Sequence, residues 1–149
     1  MTAILISLLL VAATIAIHYE VLRRTSQRLT HIKIPPRMRI IVMLVAALTS
    51  HMIHVVLYAV TFLGLEYLGD FGTIDGQRGH DLEDAIYFSI TSYTTLGIGD
   101  LIPTGDLRMI SGTEALNGLV MVGWTASMTY LYMEKFWHLD GWSNTRKRK

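Results

Sequence analysis

The sequence predicts an all-α membrane protein with three transmembrane helices and one shorter re-entrant helix. Three observations lead to that class. Of the 149 residues, 51% are hydrophobic and 17% charged, and the mean hydropathy is +0.38; a soluble domain carries about 25% charge. The charges are also bunched, leaving uncharged runs of 19, 26 and 19 residues at Met1–Tyr19, Ile40–Leu65 and Ala115–Met133. A bilayer core is crossed by about 20 predominantly apolar helical residues. A further uncharged stretch, Ala85–Gly99, has 15 residues and is too short to cross. A soluble globular domain is excluded, and the segments between the runs are too short to bury cores of their own.

The first span is expected over Thr2–Tyr19. Its basic residues follow the apolar run instead of preceding it, which suits an uncleaved segment with its N-terminus outside. The linker Glu20–Arg39 carries Arg23, Arg24, Arg28, Lys33, Arg37 and Arg39 against Glu20, and the tail ends in Arg146, Lys147, Arg148 and Lys149. Both belong in the cytoplasm by the positive-inside rule. Within the linker, Val21–Ile34 mixes apolar and basic residues and is expected along the lipid headgroups, as a positive-inside anchor and not a lipid sensor. Pro35-Pro36 then stops any helix running through.

A second span follows over Arg39–Leu65. The stretch Glu66–Arg108 holds eight acids against Arg78 and Arg108, so it lies outside, and a third span over Leu107–Phe136 returns the chain to the cytoplasm. Trp137 and Trp142 read as anchors at the inner interface. The net charge of +1 is thus a cancellation between a basic inner face and an acidic outer one.

Ala85–Gly99 enters and leaves on the same outer side. Asp81, Glu83 and Asp84 suit the positive end of a short helix dipole. Ala85–Tyr93 would run inward for about 2.5 turns, directing its negative end at the bilayer centre, where it favours a cation. Next comes Thr94-Thr95-Leu96-Gly97-Ile98-Gly99-Asp100. Alternating glycines open dihedrals closed to other residues, so successive carbonyls can face one axis and replace the water shell of a cation. The Thr95 hydroxyl adds one oxygen at the inner end.

Thr-Leu-Gly-Ile-Gly-Asp resembles the Thr-Val-Gly-Tyr-Gly-Asp selectivity filter of the potassium channel superfamily. Tyr87-Phe88 falls at the pore-helix aromatics, Thr94-Thr95 matches the paired threonines, and Pro103 follows the filter aspartate Asp100 at the family's spacing. Glu114-Ala115-Leu116-Asn117-Gly118 is similar to a motif of small bacterial channels. The likeness covers about Asp81–Tyr132 and, by topology, the preceding helix. The first span and the tail have no specific counterpart in the family; the runs and charges give a first helix and linker over residues 1–39, and the likeness implies a pore domain over 40–136. That domain holds an outer helix 40–65, pore helix 83–94, filter 95–100 and inner helix 107–136, and a basic tail 137–149 follows it. It further implies potassium ions on the carbonyls of Thr95, Leu96, Gly97 and Ile98, with Gly99 completing the filter and Tyr87, Phe88, Thr91, Thr94 and Asp100 supporting it. Gly118 stands at the inner-helix hinge, Leu119, Val122 and Ala126 at cavity-lining positions, and Tyr130 near the inner constriction.

Two departures from the family pattern stand out. Ile98 replaces the usual filter aromatic and its bracing hydroxyl, and Thr91 stands where some members carry a buried glutamate paired with the filter aspartate. One filter strand cannot surround an ion, and with the resemblance this implies that four copies converge as a closed homotetramer, with a fourfold acidic mouth that concentrates cations.

The functional expectation is passive potassium conduction in an inner or plasma membrane, with no cofactor beyond the permeant ion and no nucleic-acid partner. The alternatives are a weakly selective monovalent cation channel, opened by Ile98, and a non-conducting accessory protein. No catalytic triad, phosphate loop or dinucleotide motif is present, which excludes the usual enzymes. Glu114 is the one charge of the last span between Arg108 near its start and Glu134 near its end, read equally as coupling to the filter base or as packing. His51 and His54 share a helix face; helix–helix polar contacts are favoured there over a metal, because no third ligand is evident. His80, among outer acids, reads as a solvated loop residue in preference to a pH sensor.

Overall fold

The computed structural model describes residues 1–32, 34–76 and 81–146. Four helices form the chain: α1 (Thr2–His31), α2 (Pro36–Leu68), α3 (Leu82–Tyr93) and α4 (Leu107–Arg146). Two-residue strands β1 (Ile74–Asp75) and β2 (Ile102–Pro103) pair antiparallel between α2 and α4. Among the described residues, Thr2–His31 and Arg37–Leu68 are long and apolar enough to cross a membrane. Helix α4 is long enough as well but more polar, with Asn117, Thr125, Ser127 and Thr129 along its length.

Helix α1 does not stop at Tyr19. It continues for 30 residues to His31, so the expected headgroup linker over Val21–Ile34 is instead largely the inner third of a straight helix. Two forces carry it on. Its buried positions Ala3, Ser7, Leu10, Thr14, His18, Leu22 and Leu29 keep one helical stripe past the apolar run, and Leu22 and Leu29 pack on Met43 and Ala47 of α2 with Met128 and Tyr132 of α4. On the opposite side Arg24 Nε donates to Glu20 Oε1 at 2.6 Å, one turn away, a favourable i,i+4 pair. The turn at Pro35 and Pro36 falls where the sequence placed it: α2 begins on Pro36, with Pro35 at its N-cap, as proline's fixed φ and missing N–H favour.

Helix α2 ends on Gly69 in the left-handed conformation, φ 77°. Helix α4 runs ten residues beyond the expected Phe136. The side chains of Trp137 and Trp142, the last three tail residues, and Lys33, Arg78 and His80 lie outside the described residues.

Helix α2 packs on all three others, and α1 and α3 both pack on α4. Two apolar layers sit at opposite ends of this bundle. The outer one joins Ala3 and Leu10 of α1, Tyr58, Phe62 and Leu65 of α2, Ile74 of β1, Phe88 of α3 and Leu107 and Ile110 of α4. The inner one is the Leu22, Leu29, Met43 and Ala47 cluster. Between them lies a polar layer, in which Asn117 donates to Thr14 at 2.9 Å and to Tyr58 at 3.3 Å. Such interhelical bonds contribute on average about 0.6 kcal/mol each inside a bilayer.

The β ribbon was not expected in an all-α chain. It pins the filter's exit to the loop after α2: Ile74 pairs with Pro103 and Asp75 with Ile102, and the Thr73 and Thr104 hydroxyls meet at 3.1 Å. Gly72 and Gly105 make the approach possible; a Cβ on Gly72 would stand 2.4 Å from the Thr104 carbonyl oxygen. The Phe71 carbonyl then accepts from Asp106 N–H at 2.8 Å and Leu107 N–H at 3.2 Å, satisfying donors that the start of α4 would otherwise leave open.

Phe62 is fully buried and meets Phe88 of α3 edge-on, ring centroids 5.1 Å apart. Truncation to alanine leaves a cavity between the outer helix and the re-entrant one. Phe62→Ala is expected to destabilise the fold by about 3 kcal/mol, read as a lowered thermal unfolding midpoint of the detergent-solubilised protein. An unchanged midpoint would mean that this contact does not hold α3 in place.

Candidate functional site: the re-entrant helix and the Thr95–Gly99 strand

Helix α3 starts on Asp81, whose side chain accepts from Asp84 N–H at 3.0 Å, a capping bond that satisfies one open donor. Glu83 and Asp84 lie in its first turn. It ends at Tyr93, one residue earlier at each end than the expected 83–94.

The segment after it is built to cap α3 from beyond its C-terminus. Thr94 N–H and Oγ1 both bond to the Ile90 carbonyl, at 3.0 and 2.7 Å. Thr95 N–H reaches the Ser92 carbonyl at 2.9 Å, and Gly97 N–H reaches the Thr91 carbonyl at 3.1 Å. The donors of this strand are thereby turned back onto the helix.

Its backbone alternates in hand. Thr95, Gly97 and Gly99 have φ of 58°, 53° and 86°, while Leu96 and Ile98 between them do not take positive φ. Alternation of this kind puts successive N–H groups on one side and successive carbonyls on the other. No atom outside the neighbouring residues lies within 4 Å of a Cβ built on Gly97 or Gly99, so those glycines are required by conformation and not by space. Thr95 is a β-branched residue in the left-handed region, a strain of about 1–3 kcal/mol that persists only where the surroundings impose it.

Leu96 and Ile98 are 64% and 58% exposed in the single chain. These apolar side chains are thus left uncovered by the chain's own bundle.

At the outer end, the Tyr87 hydroxyl donates to Asp100 Oδ2 at 2.9 Å. That bond, with the carboxylate charge beside it, holds the phenol above its ordinary pKa. The sequence reading left Asp100 without a brace because Thr91 cannot pair with it; the brace comes instead from Tyr87. Thr91 is buried and turns its hydroxyl onto the Phe88 carbonyl at 2.9 Å. Phe88 belongs to the outer apolar layer.

Glu114 is fully buried, with Oε1 2.5 Å from the Ser89 hydroxyl oxygen, which also lies 2.9 Å from the Val55 carbonyl. The other carboxylate oxygen, Oε2, has no hydrogen-bond partner among the described residues. The acid therefore ties α4 to α3 in the middle of its length, one turn above the helix end.

Gly118 has a different reason from the hinge expected of it. A Cβ there would stand 2.0 Å from the Tyr93 carbonyl oxygen, so this glycine lets the end of α3 rest directly on α4. Helix α4 is continuous through it. Leu119, Val122, Ala126 and Tyr130 are all exposed on the single chain, on the face of α4 away from the buried Glu114, Asn117 and Met121.

His51 and His54 do make interhelical polar contacts. His51 Nδ1 and His54 Nδ1 each lie 2.9 Å from the Tyr93 hydroxyl, and His51 Nε2 lies 2.9 Å from Thr125 Oγ1. The third imidazole that the sequence did not reveal is His18 of α1: one ring nitrogen from each of the three lies within 4.8 Å of the others. Its signal was present, since His18 is a lone polar ring on the buried stripe of α1, but the spacing between helices is not written along the chain.

The model of a family described as an ion channel matches residues 40–135. Over 77 residues the chain is 38% identical to the inward rectifier potassium channel Kirbac3.1 of Paramagnetospirillum magnetotacticum, covering 50% of this chain and 26% of that one. Over 61 residues it is 34% identical to two-pore potassium channel 1 of Arabidopsis thaliana, covering 40% of this chain and 17% of that one. The chain thus spans about a quarter or less of the length of these relatives. No solved structure matches it. The chain belongs to the ion channel family and is a member of the potassium channel superfamily.

The Gly118 contact can be probed without reference to activity. Gly118→Ala drives a methyl into the Tyr93 carbonyl and is expected to destabilise by about 1–3 kcal/mol. Gly64→Ala, which meets no atom within 4 Å in α2, should be neutral or stabilise by up to about 1 kcal/mol. Equal unfolding midpoints for the two variants would refute the close approach.

Proposed function

We propose that this member of the potassium channel superfamily assembles as a homotetramer whose four Thr95–Gly99 strands converge on one axis and conduct potassium passively. One observation carries the reading: positive φ alternates at Thr95, Gly97 and Gly99 while the N–H groups of Thr95 and Gly97 bond back to α3. Carbonyls freed in this way on one edge are what a dehydrated cation requires. A single strand supplies only one side of a coordination shell, and the exposure of Leu96 and Ile98 in the single chain supports closure by identical neighbours.

In this reading α4 is the third span. Its polar residues are tolerated because one face lines a watery cavity, with Leu119, Val122 and Ala126 along it and Tyr130 near the inner end. The N-terminus lies outside and the C-terminus in the cytoplasm, as the basic linker and tail require. Ions enter through the acidic mouth around Asp100, bind to the carbonyls of Thr95, Leu96, Gly97 and Ile98, and leave by mutual displacement. The α3 helices direct their negative ends at the cavity below the filter, where they stabilise the ion.

A second reading is favoured by Ile98. This residue is 58% exposed in the single chain, and its aliphatic side chain offers no hydroxyl to brace the strand against a neighbour. A less braced filter discriminates less, giving a channel for both sodium and potassium.

Flux into proteoliposomes separates the readings. Potassium flux exceeding sodium flux by more than about tenfold, a difference of about 1.4 kcal/mol, supports the first; equal fluxes support the second. Gly97→Ala, at φ 53°, should abolish flux while leaving the tetramer intact on size exclusion. No flux from the unmodified protein would refute both and leave the accessory role.

Orientation has its own test, because the chain contains no cysteine. A cysteine at Asp75 should react with an impermeant maleimide on intact cells, and one at Lys149 only after permeabilisation. The reverse pattern would invert the topology.

A further inference from the structure

The middle of the bundle holds a closed circuit of side chains that conduction does not use. Starting from α1, His18 Nδ1 lies 3.1 Å from Ser50 Oγ, which lies 3.4 Å from His54 Nε2. His54 Nδ1 meets the Tyr93 hydroxyl at 2.9 Å, and the same hydroxyl meets His51 Nδ1 at 2.9 Å. His51 Nε2 then meets Thr125 Oγ1 at 2.9 Å, and Thr125 returns to His18 Nε2 at 3.2 Å.

Three imidazoles alternate with three hydroxyls, and every ring nitrogen has a partner. A neutral imidazole donates once and accepts once, as a hydroxyl can. Six groups therefore supply six donors for six links, and the circuit is satisfied only when all three rings are neutral. Neutral imidazole is the form that binds a metal ion, and each ring keeps one unprotonated nitrogen for that purpose.

We propose that His18, His51 and His54 form a binding site for a first-row divalent transition-metal ion, of which zinc is the type. One nitrogen from each ring already lies within 4.8 Å of the others. A tetrahedral zinc site with bonds of about 2.0–2.1 Å sets its ligands roughly 3.3 Å apart, so each nitrogen has to move by less than about 1 Å. Water can take the fourth position, as in open zinc sites; the Tyr93 hydroxyl, 2.9 Å from a nitrogen of both His51 and His54, lies beside them.

The second nitrogens are also provided for. Ser50 and Thr125 are already placed on the rings, and hydroxyls there can accept the remaining N–H of each histidine, fixing tautomer and ring orientation. Tyr93 is the last residue of α3, so the site sits at the end of that helix. The bound ion would fasten α1 to α2 beside the end of the re-entrant helix, two residues before Thr95.

The experiment titrates the chelator-stripped full chain in detergent with cobalt(II), a spectroscopic stand-in for zinc. The expected result is one equivalent per chain, with the intense visible bands of four-coordinate cobalt, bleached when zinc displaces it. His18→Gln and His54→Gln should each weaken binding by at least about 100-fold, whereas changing the remaining histidines, His31, His80 and His138, to glutamine together should leave it intact. Absence of stoichiometric uptake by helical, properly assembled wild-type protein overturns the proposal. So does uptake that survives in His18→Gln or vanishes in the His31/His80/His138 variant. None of these readouts involves ion flux, so the site and the channel reading stand or fall separately.

Discussion

A polypeptide that dives into a bilayer and turns back must satisfy its backbone without lipid's help, and the arrangement here follows from that requirement. Hydrocarbon accepts no hydrogen bonds, so every N–H and C=O at depth needs a partner within the protein or in a watery cavity. Helix α3 leaves its last carbonyls open, as any helix does. The strand behind it answers with its own donors: Thr94, Thr95 and Gly97 bond to Ile90, Ser92 and Thr91. One set of unsatisfied groups is removed by using another. The end of α3 is thus closed locally, by the residues that directly follow it.

The remaining architecture holds that solution in position. From outside, the β ribbon fixes the strand's exit to the loop after α2, and Tyr87 holds Asp100. From the side, Ser89 and Glu114 join α3 to α4 and to the Val55 carbonyl of α2. From below, Tyr93 is held by its hydroxyl between His51 and His54 and by its carbonyl on Gly118. These are polar contacts, which suits a bundle whose surroundings are as apolar as its own core. In lipid, burial of aliphatic surface gives little preference for one helix arrangement over another, whereas close backbone approach and hydrogen bonds do.

Much of this was readable along the chain. Charge spacing located the helices, Pro35-Pro36 located the turn, and Thr-Leu-Gly-Ile-Gly-Asp located the strand, because each of these is a local property. Charge alone marks the end of α1 too early, although the buried stripe at Leu22 and Leu29 continues and is itself local. The polar layer could not be found in the same way. His18 and Thr125 are 107 residues apart, and Asn117 and Thr14 are 103 apart; nothing in either segment specifies the other's rotation. Tyr87 was assigned as an aromatic of the pore helix, but its reach to Asp100 depends on how the strand folds back. Gly118 was given a flexible role by likeness, when the geometry gives it a steric one.

That steric role sets a mechanical ratio. The point where Tyr93 rests on Gly118 lies 11 residues from the start of α4 and 28 from Arg146, about 17 Å and 42 Å along the axis at 1.5 Å per residue. A rigid helix tilting about that point is a lever with unequal arms. Its inner end travels roughly two and a half times as far as its outer end, and the fulcrum is the carbonyl at the foot of the strand. A large swing at the Arg146 end therefore reaches the layer around Leu107 and Ile110 as a much smaller one. Sideways displacement of the helix at the fulcrum is passed to the strand undiminished.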